Sequence, residues 1–381
     1  MRGWEWLTES RYTLLFVVRV FIKAIVLFIA ANLIFAIVDP IPLIGQISIY
    51  NLFVPGRERL PYGESSAAYN LSLNSLEAMF SSHTVSRKKA DNEFRVLVMG
   101  DSSVWGVLLD NLDTLTGKLN AASLDIRGKQ AEFYNLGHPI MSATKDLMLM
   151  DYGMRYQPDL IMWLVTLESL PYPKQIEAPL VQNNAARVQP LIERYQLQLD
   201  VNDARFVQRD FWGRTLVGQR RALADWWRLQ LYGINWAATG IDQLYKDYEP
   251  RSNDLDTDIS WQGFTEANEL KENTLATDII KAGTQVVGDI PLIIVNEPIF
   301  VADGVNSDLR YNFWYPKWAY DRYRAIMQEL AAQNGWHYID LWDAISPSEF
   351  TDSPVHLTPQ GSAQLGTLLG DIVSEWAATP N

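Results

Sequence analysis

Two short runs far apart in the chain carry residue types that together could make an acyl-transfer site. The first is Gly100-Asp101-Ser102-Ser103, directly after the apolar run Arg95–Met99. A serine on a strand-to-helix turn projects its hydroxyl at the C-terminal edge of a sheet. The N–H groups that open the following helix have no intrahelical partner and can hold an oxyanion there. Serine is a weak nucleophile until a base takes its proton. The second run, Asp352-Ser353-Pro354-Val355-His356, supplies that base in His356 and an orienting acid in Asp352. Either run alone is a common turn. Their placement, after the first strand and ahead of the last helix, makes the pair specific.

Other side chains fall near the same edge. Asp101 precedes the nucleophile, His138 follows Gly137, and Glu297 closes the strand that ends Asn296-Glu297-Pro298; each is a site-lining candidate. His83 lies in a polar stretch and reads as solvated, and His337 as packed beside Trp336. Absent Cys excludes thiolate zinc sites, iron–sulfur clusters and a Cys nucleophile; the four His are scattered and no H-E-x-x-H occurs, so no metal site is expected. No G-x-S-x-G elbow, P-loop or G-x-G-x-x-G is present, and no cofactor is expected. A formal net charge of −13 argues against nucleic acid as a partner.

The elements that must position these residues follow a βα rhythm from residue 94. Short apolar runs at Arg95–Met99, Ala131–Leu136, Leu160–Val165, Pro291–Asn296 and Trp336–Leu341 read as buried parallel strands. Helices are expected from Asp113-Thr114 through Leu124, over Thr144–Tyr156, Glu266–Lys281 and Tyr315–Asn334, and over Pro359–Trp376. The alternation predicts a three-layer α/β/α parallel sheet with ligands beyond the C-terminal strand ends. The rhythm breaks over about 171–259, too long for an ordinary loop. That insertion holds the aromatic, helix-patterned run Phe211–Ile241 with Arg220, Arg221 and Arg228. A helical cap over the cleft and a surface dipping into lipid headgroups both fit it.

Leu14–Val38 is a 25-residue apolar run, about 37 Å as a helix against a hydrocarbon core of about 30 Å. Arg19 and Lys23 share one face and can snorkel to one headgroup layer. Four basic residues against two acidic ones occur up to residue 38. The positive-inside rule then makes 1–13 a cytoplasmic tail and 14–38 a single-pass transmembrane helix in the cell membrane. On this reading 39–93 is a connector and 94–381 an extracytoplasmic domain. The run exceeds a signal-peptide core, and no A-x-A site follows it.

With the Ser102 and His356 blocks in these places, residues 94–378 resemble the SGNH (GDSL-type) hydrolase superfamily. The resemblance implies a flavodoxin-like sheet with Ser102 as nucleophile and His356 as base. It also implies an oxyanion hole built from the Ser102 N–H and Gly137, which lies in Asn135-Leu136-Gly137. Two departures stand out. The third block, normally Gly-x-Asn-Asp, here reads Val165-Thr166-Leu167-Glu168-Ser169, so Thr166, Glu168 or Ser169 must shape that side of the hole. The acid normally sits three residues before the His, where Ser353 stands, and Asp352 is four before.

These readings lead to a membrane-anchored, extracytoplasmic serine esterase or O-acyltransferase. Its expected partners are the lipid bilayer and an acyl ester, with a cell-envelope glycan or lipid as a candidate substrate. The missing third-block Asn leaves a second reading open: a catalytically weak domain that binds an envelope glycan or a partner protein.

Overall fold

A computed structural model describes residues 13–54, 56–63, 71, 73–239 and 247–378. The tail expected over 1–13 therefore lies outside the described residues apart from Thr13, and so does the end of the Phe211–Ile241 run.

Helix α1 (Leu14–Val38) opens at Thr13, whose hydroxyl accepts from Phe16 N–H, and stops at Asp39 in the left-handed conformation before Pro40. It is long and apolar enough to cross a membrane, and its most apolar stretch is not covered by the rest of the chain. Three short helices follow: α2 (Ile41–Gly45), α3 (Ile49–Phe53) and α4 (Leu76–Ser82).

The domain proper is a six-stranded sheet. Its strands are β1 (Glu93–Met99), β2 (Asp125–Ile126), β3 (Lys129–Asn135), β4 (Leu160–Val165), β5 (Leu292–Asn296) and β6 (His337–Asp340). The spatial order is β2-β3-β1-β4-β5-β6. All pairs are parallel except the short β2–β3 edge hairpin, which the sequence reading missed. Counting only the parallel strands in chain order, the arrangement is 2-1-3-4-5, which is flavodoxin-like, and its crevice opens where the order reverses, between β1 and β4.

Both faces are covered because β4 is apolar throughout and β1 is apolar apart from the Glu93–Arg95 ion pair at its start. Phe94, Val96 and Val98 join Leu160, Met162 and Leu164 on one side; Leu97 and Met99 join Ile161, Trp163 and Val165 on the other. The first face packs on α6 (Leu115–Ala121) and the C-terminal α13 (Pro359–Ala378). The second packs on α7 (Ala143–Gly153), α11 (Thr277–Val286) and α12 (Lys317–Asn334).

Several boundaries differ from expectation. Helix α6 begins after Thr114, whose hydroxyl accepts from Gly117 N–H, so the cap falls one residue later than Asp113. Residues 266–276 form turns and one short 3-10 helix, Glu272–Thr274, and α11 starts only at Thr277. Within 171–259 the chain forms α8 (Pro179–Asn183) and α9 (Ala185–Tyr195), which pack on α7, and then α10 (Arg220–Thr239). Helix α10 packs on α2, α3 and α4, and it contributes no residue to the cleft described below. Lys174 and Glu177, at the start of the same insertion, do line it.

The connector packs on the main domain. Arg59 is fully buried, lies 4.5 Å over the Trp105 ring, and donates to the Gly106 and Leu109 carbonyls at 3.0 Å. His83, read as solvated, is fully buried: its Nδ1 accepts from Val85 N–H and its Nε2 lies 3.0 Å from the Glu58 carbonyl. Burial lowers its pKa to about 4, so it is neutral at pH 7.

Candidate active site

The Gly100–Ser103 turn is made by β1 running into a one-turn helix, α5 (Ser102–Trp105). Asp101 caps that helix, its Oδ1 accepting from Ser103 N–H at 2.9 Å. The carboxylate thus fixes the turn that presents Ser102; it is buried and does not line the open cleft.

His356 Nε2 lies 2.9 Å from Ser102 Oγ, and His356 Nδ1 lies 2.8 Å from Asp352 Oδ1. With Nδ1–H donating to the carboxylate, Nε2 would be the bare nitrogen and could accept a proton from Ser102 Oγ. Burial pushes the Asp352 carboxyl up. The hydrogen bond and charge of His356 outweigh that and hold the carboxyl below the usual range. The four-residue spacing works because 351–356 is a closed loop. Thr351 N–H donates to the His356 carbonyl at 2.9 Å, and Phe350 pairs with Leu357 in an antiparallel bridge. Inside that closure Asp352 faces the imidazole, while Ser353, at the usual acid position, is buried and accepts from Val355 N–H.

The Ser102 N–H makes no hydrogen bond among the described residues and is free to serve an oxyanion. Gly137 is placed differently from expectation. Its N–H donates to the Asn135 side chain at 3.1 Å, so it is already engaged. Gly137 is required for packing instead, since a Cβ there would lie 2.4 Å from Trp105 N in the nucleophile helix. Three residues on, Ile140 shares the cleft with Ser102 and holds φ +77°, a left-handed conformation that is an outlier for a β-branched residue. Its N–H makes no hydrogen bond among the described residues, which makes it the second candidate oxyanion donor. Sequence reasoning missed Ile140, because nothing in its type signals a positive φ.

Thr166 is not a donor to the site. It is fully buried, and its hydroxyl pairs with Tyr315 Oη at 3.2 Å. Leu167 is core. Glu168 does reach the cleft and forms an ion pair with Lys174.

His138 and Glu297 lie behind the Ser102 turn rather than in the opening. His138 is buried against Tyr62, 5.3 Å between ring centres, with Nδ1 3.0 Å from the Pro139 carbonyl. Burial lowers its pKa to about 3 and the nearby Lys145 charge adds to this, so it stays neutral. Glu297 bonds the Ser103 hydroxyl; burial, then the Asp101 charge, raise its pKa well above the usual range. Lys145 also escaped the sequence reading. It is fully buried, pairs with Asp146 at 3.0 Å, and donates to the carbonyls of Gly100 and His138. It therefore ties the Ser102 turn to the Ile140 loop. Its place in the first turn of a Ser142-capped helix reads in sequence as an ordinary exposed Lys.

The cleft over the triad is open, about 510 Å³, and its outer wall carries Phe313, Trp314, Glu177 and Lys174. Among the described residues, no three His, Asp or Glu side chains are grouped to hold a metal ion.

The first parallel strand presents the serine at the switch point, and the loop before the last helix presents the acid and base. The fold is SGNH-like. No protein-family model matches the chain, and no curated protein matches it in sequence. Similar solved structures include a GDSL-like lipase from Bacteroides thetaiotaomicron, at 8% identity and TM-score 0.39 over 80% of this chain and 98% of that one. A carbohydrate acetylesterase family member from Sinorhizobium meliloti aligns at 12% identity and TM-score 0.34, covering 75% and 99%. The aryl esterase of M. smegmatis aligns at 11% and 0.33, covering 74% and 98%.

Proposed function

We propose that this protein is a serine-dependent esterase or O-acyltransferase, held at a membrane by α1 with its SGNH-like domain on the extracytoplasmic side. The observation that carries the reading is the unbroken chain Ser102–His356–Asp352 at hydrogen-bond distances, opening on a cleft. His356 Nε2 takes the Ser102 proton as Oγ bonds to the ester carbonyl carbon. The negative charge that develops on the carbonyl oxygen is met by the Ser102 and Ile140 N–H groups. Asp352 holds the imidazole in the productive tautomer and stabilises its cation. The imidazolium then protonates the leaving alkoxide as the carbon–oxygen bond breaks, leaving an acyl group on Ser102. Water or an acceptor hydroxyl, deprotonated by the same imidazole, takes the acyl group and restores the serine. Phe313 and Trp314 give flat apolar faces beside the carboxylates of Glu168 and Glu177. Such a wall suits a hydroxyl-rich alcohol, which makes an acylated envelope glycan the substrate class to try first.

The test is labelling of the full chain with a fluorophosphonate probe, with Ser102→Ala as the control, followed by short- and long-chain esters and acetylated sugars. Labelling lost in the control and turnover of any ester support the reading. An intact, folded chain that neither labels nor turns over an ester would favour the catalytically weak binding domain.

A further inference from the structure

Helix α10 buries one face and leaves a second apolar stripe in the open. Leu229, Gly233 and Trp236 pack inward, and Gly233 lies so close to Tyr50 of α3 that a Cβ would fall 2.1 Å from its ring. On the outer side Trp227, Leu231 and Ile234, at i, i+4 and i+7, are 56%, 60% and 57% exposed. Arg221 and Arg228 flank the stripe and are themselves well exposed. An apolar stripe with Trp and flanking Arg is the pattern of a helix lying in a membrane interface.

Its position in the fold points the same way. Val217 N–H donates to the Asn32 side chain of α1 at 3.0 Å, and Gln219 donates to Asp39 at its end at 2.8 Å. Trp226 Nε1 donates to the Ile47 carbonyl at 3.1 Å, and Ile49 N–H donates to Gln230 at 2.7 Å. The segment from Val217 through α10 is thus fastened to the exit end of α1 and the chain just after it. Asn32 lies about 9 Å before the last residue of α1 at 1.5 Å per residue, whereas the helix exceeds a roughly 30 Å hydrocarbon core by only about 7 Å. With α1 spanning the bilayer, Val217 would sit at the boundary between acyl chains and headgroups, within the roughly 5–10 Å to which interfacial helices sink.

We propose that α10 is a second membrane contact, with Trp227, Leu231 and Ile234 among the outer acyl chains and Arg221 and Arg228 at headgroup level. The occupant of this surface is the lipid bilayer. The domain is then held against the membrane in one orientation rather than swinging from a single helix. This inference rests on the reading of α1 as the anchor.

The chain has no Cys, so single-Cys variants can be labelled without further changes. Leu231→Cys and Ile234→Cys, with Leu27→Cys in α1 and the exposed Gln333→Cys on α12 as references, would carry a nitroxide spin label. The full chain would be reconstituted into phosphatidylcholine/phosphatidylglycerol vesicles, and collision of each label with oxygen and with a water-soluble nickel chelate measured. The expected result is an oxygen-to-nickel ratio several-fold higher at 231 and 234 than at 333, and higher still at 27. A lipid-like label at 27 with labels at 231 and 234 matching 333 would overturn the contact while leaving the anchor standing. Labels at 231 and 234 shielded from both reagents would mean that protein covers the stripe, and would overturn it too. A water-like label at 27 would remove the anchor, and this proposal with it.

Discussion

Replacing Glu297 with Gln should stabilise the protein increasingly as pH rises, although it removes an ionisable group beside the nucleophile turn. Glu297 is 2% exposed; one oxygen bonds the Ser103 hydroxyl and the other has no partner. Burial and the Asp101 charge raise its pKa well above the ordinary value of 4.5. Above that ordinary value the unfolded chain gives up the proton while the native chain keeps it. The native state then binds more protons, and stability falls as pH rises, at about 1.4 kcal/mol per pH unit for one proton, until the pH passes the raised pKa. Gln matches the shape of the neutral acid and carries no such proton. The difference in unfolding free energy, variant minus native, should therefore grow by about 1.4 kcal/mol per unit from roughly pH 5 upward. Contributions of His83 and His138 are common to both proteins and cancel. Urea unfolding in detergent micelles, followed by tryptophan fluorescence, reads this; Trp105 and Trp163 are fully buried reporters in the domain. A flat difference, or a variant that loses ground as pH rises, would mean that Glu297 is ionised in the native state and would refute the reasoning.

His356→Ala should abolish ester turnover as fully as Ser102→Ala, with Asp352→Ala roughly 10–100-fold milder, because nucleophile and base act as one unit and the acid only orients; steady-state kinetics on one ester decides it. Thr166→Val should lower kcat far less than the ~10²–10³-fold expected for an oxyanion donor, since its hydroxyl is bonded to Tyr315. Gly137→Ala should lower unfolding free energy by about 3 kcal/mol or more and cut activity, because its Cβ would meet backbone atoms of Val104 and Trp105 that cannot swing aside. Ile140→Gly should keep kcat while relieving about 1–2 kcal/mol of left-handed strain, offset in part by backbone entropy; a loss of about 100-fold in kcat would show that the side chain, not the N–H, serves the reaction.

Much of the site was legible because local chemistry and chain order suffice for it. The apolar run ending at Met99 had to be a buried strand, so the Gly-Asp-Ser turn after it had to lie at a C-terminal sheet edge. The run before Pro359 had to return to that edge, because a parallel sheet brings every such loop to the same side. Asp352 was reachable on the same grounds, although only the closed 351–356 loop decided that it, and not Ser353, meets the imidazole. The apolar length of α1 likewise needs no partner to be read.

What the sequence left open depends on partners far along the chain. Gly137 and Thr166 were assigned by position in a motif. Whether an N–H or hydroxyl is free is settled by what else reaches it, here Asn135 and Tyr315, the latter 149 residues away from Thr166. Ile140, Lys145 and Arg59 have the wrong residue types for their roles: a β-branched residue at positive φ and two cations with no exposure. Such conformations are unfavourable locally and persist only where surrounding contacts over-determine them, so no local pattern announces them. The same holds for α10. Its aromatic and basic composition was plain in the sequence, but periodicity alone cannot say which of two apolar faces finds a protein partner. Packing against Tyr50 and Ile47 settled that, and left Trp227, Leu231 and Ile234 facing outward.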